Sequence, residues 1–490
     1  MRILIDTNIF IYREDPAVLP EHLQKLLRIT RENKHIIIVH PASVKDIEND
    51  PDVKRREIMI SKLKSYPPLE SPPVPDKAFL HLIGNSSINE EPDNTILYAV
   101  YKNAVDILIT EDRGILRKAL KVGIEDRVMD TDSAVAYFES LHMSTFSHVM
   151  LKEEYVYNTD VNDPIFDSLK EEYPEFDEWF TKISREGRKC WVYSEEGKIK
   201  AILIYKEEDE SVDATPPLPK RRRFKIATLK VDLTGYKIGE LLLKLAFKYC
   251  IDHNIDETYL THFTEKEDYL VDLILEFGFI SCGKNKRGET VYLKKLYPEE
   301  YTIDPVKMSR KFYPSFKDGT NIRKFVVPII PKFHDRLFQD YQKRQMRITE
   351  YIGFNPQGNT IKKAYLTHSR IRRIRPGDIV LFYRSKDQQR ITSLGVVEEV
   401  HVSLTDENEI LRIVGKRSVF TYDEIQEMVK APVTVIIFRH HFYFQNPLHL
   451  NELMKDNILG SAPQSITEIS HKKYDYIKKR GGIHERFTFS

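Results

Sequence analysis

The sequence predicts an α/β protein of several domains, and three observations carry that prediction. Residues 1–140 alternate short apolar runs (MRILID, HIIIVH, DILIT) with helical patterns such as PEHLQKLLRITREN and PDNTILYAVYKNA. Residues 145–298 begin a second alternation, more antiparallel in its first half. From about Ile322 the texture turns to closely spaced strands, KFVVPIIP, KKAYLTH, DIVLFYR, SLGVVEEV and PVTVIIF, which favour a small barrel. At 490 residues the chain is long enough for two to four separate cores.

Strands that alternate with helices argue for a parallel sheet covered on both faces in the first third. The stretch YPPLESPPVPD (66–76) is proline-rich and reads as a surface loop. In the second third, CWVYSEE and KIKAILIYKEE read as a hairpin turning at Glu196-Gly197. EEDESVDATPPLPKRRR then reads as a solvated loop, followed by the strand FKIATLKVDL, a helix over 238–253, the strand ETYLTHF, a helix around 269–277 and the strand TVYLKKL. Residues 299–321 lack periodicity and read as a connector. Pro376-Gly377-Asp378 is a turn, and two more helical segments fall near 422–429 and 466–479. The expected domains are therefore 1–143, 144–298 and 322–490, the last with a C-terminal helical segment.

Composition narrows the class. The chain is 41% hydrophobic, 30% charged and 11% aromatic, with a formal net charge of +1, so a nucleic-acid site would have to rest on local patches. Cys190, Cys250 and Cys282 are too few and scattered for a disulfide framework or a zinc site, as a reducing cytoplasm would favour. No signal peptide is visible, and no run reaches the roughly 18 apolar residues of a membrane span. The expectation is a cytoplasmic protein.

Four acids stand at strand ends or helix starts in the first third: Asp6, Asp46, Asp93 and Asp112. In a doubly wound sheet ligands collect at the carboxyl ends of the strands. Acids gathered there repel one another unless cations neutralise them, and oxygen-only ligands select a hard cation, Mg²⁺ or Mn²⁺. Each acid taken singly also reads as a helix-start residue favoured by the macrodipole. Asp50 and Glu48 lie near Asp46.

DTNIF, HPASVKDIE, PDNTILYAV and ILITEDRGI resemble the successive acidic motifs of the PIN domain, a nuclease fold, over about residues 1–140. The resemblance implies a metal-dependent endoribonuclease with Asp6, Asp46, Asp93 and Asp112 as its acids and metal ligands, assisted by Asn8 and Thr110. It departs at the second acid, usually Glu, where Asp46 is the better match and Glu48 the rival. Arg113 reads equally as a phosphate contact and as a solvated loop residue.

VDLTGYKIGELLLKLAFKYC reads as strand, glycine turn and helix, and helix-start amides suit anions. The region 145–298 resembles the GNAT acetyltransferase fold, which implies acetyl-CoA bound at Leu233, Gly235, Lys237, Ile238 and Gly239. It departs from the family's loop at Lys237, in place of the central glycine, and at Ile274, where a tyrosine is often the general acid. PKRRRFK (219–225) reads as a loop that could also touch nucleic-acid phosphates.

KFVVPIIPKF, QKRQMRITEY, RPGDIVLFYRS and SLGVVEEV resemble ASCH and related PUA-like barrels, which implies RNA or base recognition. Arg370, Arg372, Arg373 and Arg375 stand beside Phe382 and Tyr383, and cations hold phosphates while aromatics stack bases. The alternative places Ile379, Leu381 and Phe382 in the barrel core. Lys343, Thr349 and Glu350 loosely match residues that some ASCH relatives use in hydrolysis.

Together these readings point to an RNA-processing enzyme: a PIN-like nuclease, a GNAT-like acyl-CoA domain and an RNA-recognising barrel. Structured RNA such as tRNA, a protein antitoxin or regulator, and a second copy of the chain are the expected partners, in a toxin or defence context. One alternative is an acetyltransferase acting on RNA or aminoacyl-tRNA with the PIN-like part as scaffold. Another is a regulator that binds nucleic acid without turnover.

Overall fold

The structure, a computed structural model, describes residues 1–14, 20–48, 51–84, 91–142, 149–232, 237–264, 268–298, 304–338, 341, 350–353, 360–483 and 485–490. The chain forms two compact units, residues 1–146 with 404–431, and residues 147–403 with 432–490.

The first unit is built on four parallel strands, β1 (Arg2–Ile5), β2 (Ile36–Val39), β3 (Ile107–Ile109) and β4 (Val128–Met129), in the order β2-β1-β3-β4. Ile3, Leu4 and Ile5 are all buried, so helices cover both faces of β1, and a strand buried on both sides reads as an unbroken apolar run. Helices α1 (Thr7–Glu14), α2 (Glu21–Glu32), α3 (Ser43–Glu48), α4 (Val53–Leu63), α5 (Lys77–Ile83), α6 (Glu91–Tyr101), α7 (Arg113–Lys121) and α8 (Thr131–His142) complete this part. Leu4, Ile38 and Leu108 share a core with Phe79, Ile96, Val100 and Ile115.

This unit also takes in a segment the sequence assigns to the third domain. The helices Glu407–Val414 and Tyr422–Met428 belong to it rather than to the second unit. Arg412 meets Asp106 at 2.8 Å, and the buried Arg417 meets Asp126 at 2.6 Å.

The second unit holds two large sheets. Strands β5 (Val149–Tyr155), β6 (Lys189–Glu195), β7 (Lys198–Val212), β8 (Leu218–Val231), β9 (Glu257–His262), β10 (Ile280–Lys284) and β11 (Thr290–Lys295) carry the first, with helices α9 (Asp167–Glu172), α10 (Phe176–Arg185), α11 (Ile238–Asp252) and α12 (Tyr269–Glu276). The hairpin at Glu196-Gly197 forms as expected. The charged stretch after it is no loop: β7 and β8 run on through it as one antiparallel pair. Cross-strand pairing explains the difference, because Arg222 meets Glu207 at 2.7 Å and Lys220 meets Asp209 at 3.6 Å. Arg223 is buried against Glu257 at 2.7 Å, and Arg221 shares that acid. PKRRRFK is therefore a strand whose cations are matched by acids, not a phosphate-binding loop.

The connector also has structure. A helix, Pro305–Lys311, leads to β12 (Phe316–Lys317), which pairs in parallel with the last strand of the chain, Thr488–Phe489. The remaining strands are β13 (Lys324–Ile329), β14 (Glu350–Gly353), β15 (Lys362–Thr367), β16 (Ile379–Arg384), β17 (Arg390–Leu404), β18 (Val433–His449) and β19 (Thr467–Ile469). All but β14 form a mixed sheet in the order β15-β18-β17-β16-β13-β19, and among the described residues no pairing joins its two ends into a barrel. β14 instead pairs with β5 and extends the first sheet to eight strands. One core holds Trp191, Leu243 and Phe279 together with Leu381, Leu394 and Tyr474, so the two sheets fold as one body.

Candidate functional site

The carboxyl ends of β1 and β3 and the starts of α3, α6 and α7 bring the four expected acids into one electrostatic group. The amide of Asp6 still donates to Ile109 across the sheet, at 2.9 Å. Its carboxylate therefore stands at the carboxyl end of β1, where three donors hold it. Thr7 N–H reaches Oδ1 at 2.7 Å, while Asn8 Nδ2 and Thr110 Oγ1 reach Oδ2 at 2.8 Å and 2.6 Å. Asp6 is only 3% exposed, and burial outweighs these bonds, with Asp112 and Asp46 adding to it. Its pKa is pushed up to about 6.

Asp46, in the first turn of α3, is half-buried and accepts from Thr7 Oγ1 at 2.8 Å. Burial raises its pKa against that bond. Asp112 caps α7, accepting from Ile115 N–H at 2.8 Å, and its own amide donates to Thr110 Oγ1 at 2.9 Å. The cap reading and the site reading thus both hold for this residue.

Asp93 differs from the rest. Among the described residues no hydrogen-bond donor is placed on it. Burial raises its pKa to about 7, with Asp6, Asp112 and Asp46 all pushing the same way and Lys118 opposing. Lys118 Nζ itself donates to the neighbouring Asn94 Oδ1 at 2.8 Å. This acid has the most to gain from a cation.

The donor set suits a hard divalent cation, since it offers carboxylates, a threonine hydroxyl and a carboxamide, and Lys118 acts against the raised pKa of Asp93. Among the described residues, however, no three His, Cys, Asp or Glu side chains stand close enough together to hold an ion as placed. The group is joined through its shared field rather than through a closed coordination shell. Between the rivals for the second acid, the structure favours Asp46: Glu48 is exposed, and none of the leading influences on Asp6 or Asp93 comes from it. Asp50 lies outside the described residues. Thr7 and Lys118 are the additions that sequence reasoning missed. Thr7 stands inside the quoted DTN, but only its bond to a residue 39 positions away marks it.

The second expected site is half visible. Leu233 and Gly235 lie outside the described residues. Lys237 takes a left-handed backbone (φ +53°) just before α11, and Ile238 is buried. A Cβ on Gly239 would stand 2.9 Å from Leu273, so this glycine lets α11 start against α12. β8 and β9 pair in parallel only from Arg223↔Glu257 to Lys225↔Tyr259, which leaves their later residues unpaired with each other beside the start of α11. Ile274 is fully buried.

Arg370, Arg372, Arg373 and Arg375 are all exposed on the segment between β15 and β16, and Arg373 makes a 3.5 Å contact with Glu468. Tyr383 does not join them. It is 1% exposed on β16, an inner strand flanked by β17 and β13, and packs in the shared core with Ile379 and Leu381. Phe382 is buried on the other face, 4.7 Å from the ring of Phe438. Neither aromatic can stack a base. Lys343 and Thr349 lie outside the described residues, and Glu350 stands in β14 opposite Lys152 of the eight-stranded sheet.

No protein-family model and no curated protein matches the sequence. Several solved structures resemble parts of it. The ASCH protein of Zymomonas mobilis aligns over 32% of this chain and 94% of its own, at 13% identity and a TM-score of 0.25. The PaiA N-acetyltransferase of Thermoplasma acidophilum, solved with coenzyme A, aligns over 26% of this chain and 79% of its own, at 14% identity and a TM-score of 0.21. The aminoglycoside 6'-N-acetyltransferase of Enterococcus faecium aligns over 31% and 98%, at 14% identity and a TM-score of 0.21. At such scores these likenesses carry no argument about what this chain binds or does. The chain is a mixed α/β protein with several sheets, and no described helix is long and apolar enough to cross a membrane.

Proposed function

We propose that this chain is a divalent-cation-dependent endoribonuclease whose active site is the crevice of Asp6, Asp46, Asp93 and Asp112. One observation carries the reading: four acids from separate strand ends and helix starts act on one another, and Asp93 stands among them with a pKa raised to about 7. Folding tolerates such a concentration of buried negative charge when a cation is to occupy it. Bound Mg²⁺ or Mn²⁺ would supply charge neutralisation and an activated water. Asp6, Asp46, Asp93 and Asp112 would hold the ion, while Thr110 and Asn8 keep the Asp6 carboxylate aimed out of the strand. Lys118 would offset part of the charge that a phosphodiester meets. The exposed arginines 370, 372, 373 and 375 would hold the RNA backbone.

The test is Mn²⁺- or Mg²⁺-dependent cleavage of structured RNA by the full chain. Asp6→Asn is expected to abolish it and Lys237→Glu to leave it intact. Cleavage that survives Asp6→Asn would sink the reading.

A second reading is favoured by one observation, the short parallel pairing of β8 with β9 and the helix that starts beside their divergence. Such a wedge suits an acyl-CoA, and the acceptor would then be RNA or aminoacyl-tRNA. Calorimetry with coenzyme A tests it: saturable binding lost in Lys237→Glu supports it, and no heat refutes it.

A further inference from the structure

We propose that the helix His471–Gly481 is a second contact for the RNA backbone, continuous with the arginines of residues 370–375. The inference rests on the RNA-binding part of the reading above and adds to that surface a helix it does not name. The helix divides by face. Tyr474, Ile477 and Gly481 are buried, while Lys472, Lys479 and Arg480 are exposed and Tyr476 lies between them. At about 100° per residue these four fall along one stripe, opposite the buried face. The buried face fixes the helix in place. A Cβ on Gly481 would stand 2.0 Å from Phe444, so glycine is what allows the approach. Tyr474 donates to Asp318 at 3.1 Å, and Lys478 pairs with the same acid at 2.7 Å. A fixed helix presents the stripe, and little ordering has to accompany binding.

Helix stability does not account for the stripe. Lys479 and Arg480 suit the C-terminal end of the helix dipole, but Lys472 stands in the first turn, where a cation is disfavoured and no acid accompanies it. Nor is the charge matched. On β7 and β8 the exposed cations face acids, as Arg222 faces Glu207. Among the described residues no acid pairs with Lys472, Lys479, Arg370, Arg372 or Arg375. Of the acids near the helix, Asp475 is engaged by His471 at 3.2 Å and Asp456 by the hydroxyl of Tyr476. The two sets of cations share one strip of the second unit. Ser369 bonds Ser465 at 2.9 Å, Arg373 meets Glu468 at 3.5 Å, and β19 leads through Ser470 directly into the helix. A chain of net charge +1 thus gathers unmatched cations in one place, which a polyanion fits. A lipid surface does not fit it, because the apolar residues of the helix are buried. A protein partner would need apolar anchors, and none of the exposed large apolar side chains falls within 369–375 or 465–481.

Fluorescence anisotropy of a labelled RNA hairpin with the full chain tests this, in EDTA so that neither metal nor cleavage enters. Lys472→Gln/Lys479→Gln/Arg480→Gln is expected to weaken binding about tenfold and to lower the log–log salt slope by about 2, at roughly 0.7 per phosphate contact. Lys220→Gln/Arg222→Gln/Lys248→Gln removes the same charge from cations that acids already match, and is expected to change binding by less than about twofold. Thermal melting of each variant reports folding separately. A helix variant with unaltered affinity and slope would overturn the inference and leave the RNA to the arginines alone. An equal loss in the second variant would also overturn it, by assigning the effect to overall charge. So would tighter binding to phosphatidylserine vesicles than to the hairpin. An unaltered chain that binds no RNA would refute the RNA reading itself, and this inference with it.

Discussion

Replacing Arg417 with Met tests whether residues 404–431 are part of the first unit's fold. The guanidinium is 2% exposed and bonds Asp126 at 2.6 Å, with Glu125 at 3.5 Å. Methionine keeps much of the volume but removes the guanidinium from both acids. Breaking a buried ion pair from one side costs about 3–5 kcal/mol. The acids are 16% and 27% exposed, so water can partly replace the lost partner and the lower end, about 3 kcal/mol, applies. For a domain of this size each kcal/mol moves the melting midpoint by about 2–4 °C, which gives a fall of about 6–12 °C. Scanning calorimetry of the full chain is the assay. The transition of the first unit should fall by that amount while that of the second stays in place. Hydrogen exchange should quicken in the helix Tyr422–Met428 and across α8. A fall of less than about 2 °C would refute the reasoning, as would an equal fall in both transitions. So would a fragment of residues 1–146 that melts as the full chain does.

Three further outcomes follow from the charged groups. Asp93→Asn should abolish cleavage and yet stabilise the first unit at pH 8 by about 2 kcal/mol, a figure roughly halved for the acid's partial exposure. The sign is fixed by linkage: a carboxyl held at about 7 in the fold and near 3.8 unfolded contributes stability at low pH that is lost as pH rises through 7. Denaturant melts at pH 5 and pH 8 check it, and a less stable Asp93→Asn chain at pH 8 would contradict it. In the second unit, His441 is buried neutral, with Nδ1 donating to Pro314 O at 2.8 Å and Nε2 accepting from Ser309 at 2.7 Å. Burial lowers its pKa to about 3, so the folded state binds fewer protons than the unfolded one below about pH 6.5, and urea midpoints should fall from pH 7 to pH 5. A flat profile would rule this out. Changing Arg370, Arg372, Arg373 and Arg375 together to Gln should weaken RNA binding and flatten its salt dependence by up to about 3 in log–log slope, at roughly 0.7 per phosphate contact. An unchanged slope would take the RNA off this surface.

Some of this was legible from local pattern because its causes are local. Ile3, Leu4 and Ile5 followed by Asp6 read as a buried strand ending on an acid, and the structure has β1 buried on both faces with Asp6 at its end. The helices 21–32 and 238–252 likewise lie within a residue or two of their expected spans. The choice between Asp46 and Glu48 was not legible, since it turns on a hydroxyl from another element. The run EEDES…PKRRR looked like a solvated loop because charge suggests water. Its acids and bases satisfy one another across β7 and β8, a pairing that composition does not display. Tyr383 looked available beside four arginines, but strand order makes β16 an inner strand.

The sequence by itself determined the strands and helices with a clear apolar period, and that acids stand at strand ends in the first third, because apolar periodicity and chain geometry act over a few residues. Tertiary structure alone decided that 404–431 belongs with 1–146, and that the two large sheets of the second unit share one core. The first rests on an ion pair between residues 291 positions apart in the chain, the second on apolar burial shared by the two sheets. No window of sequence contains both partners.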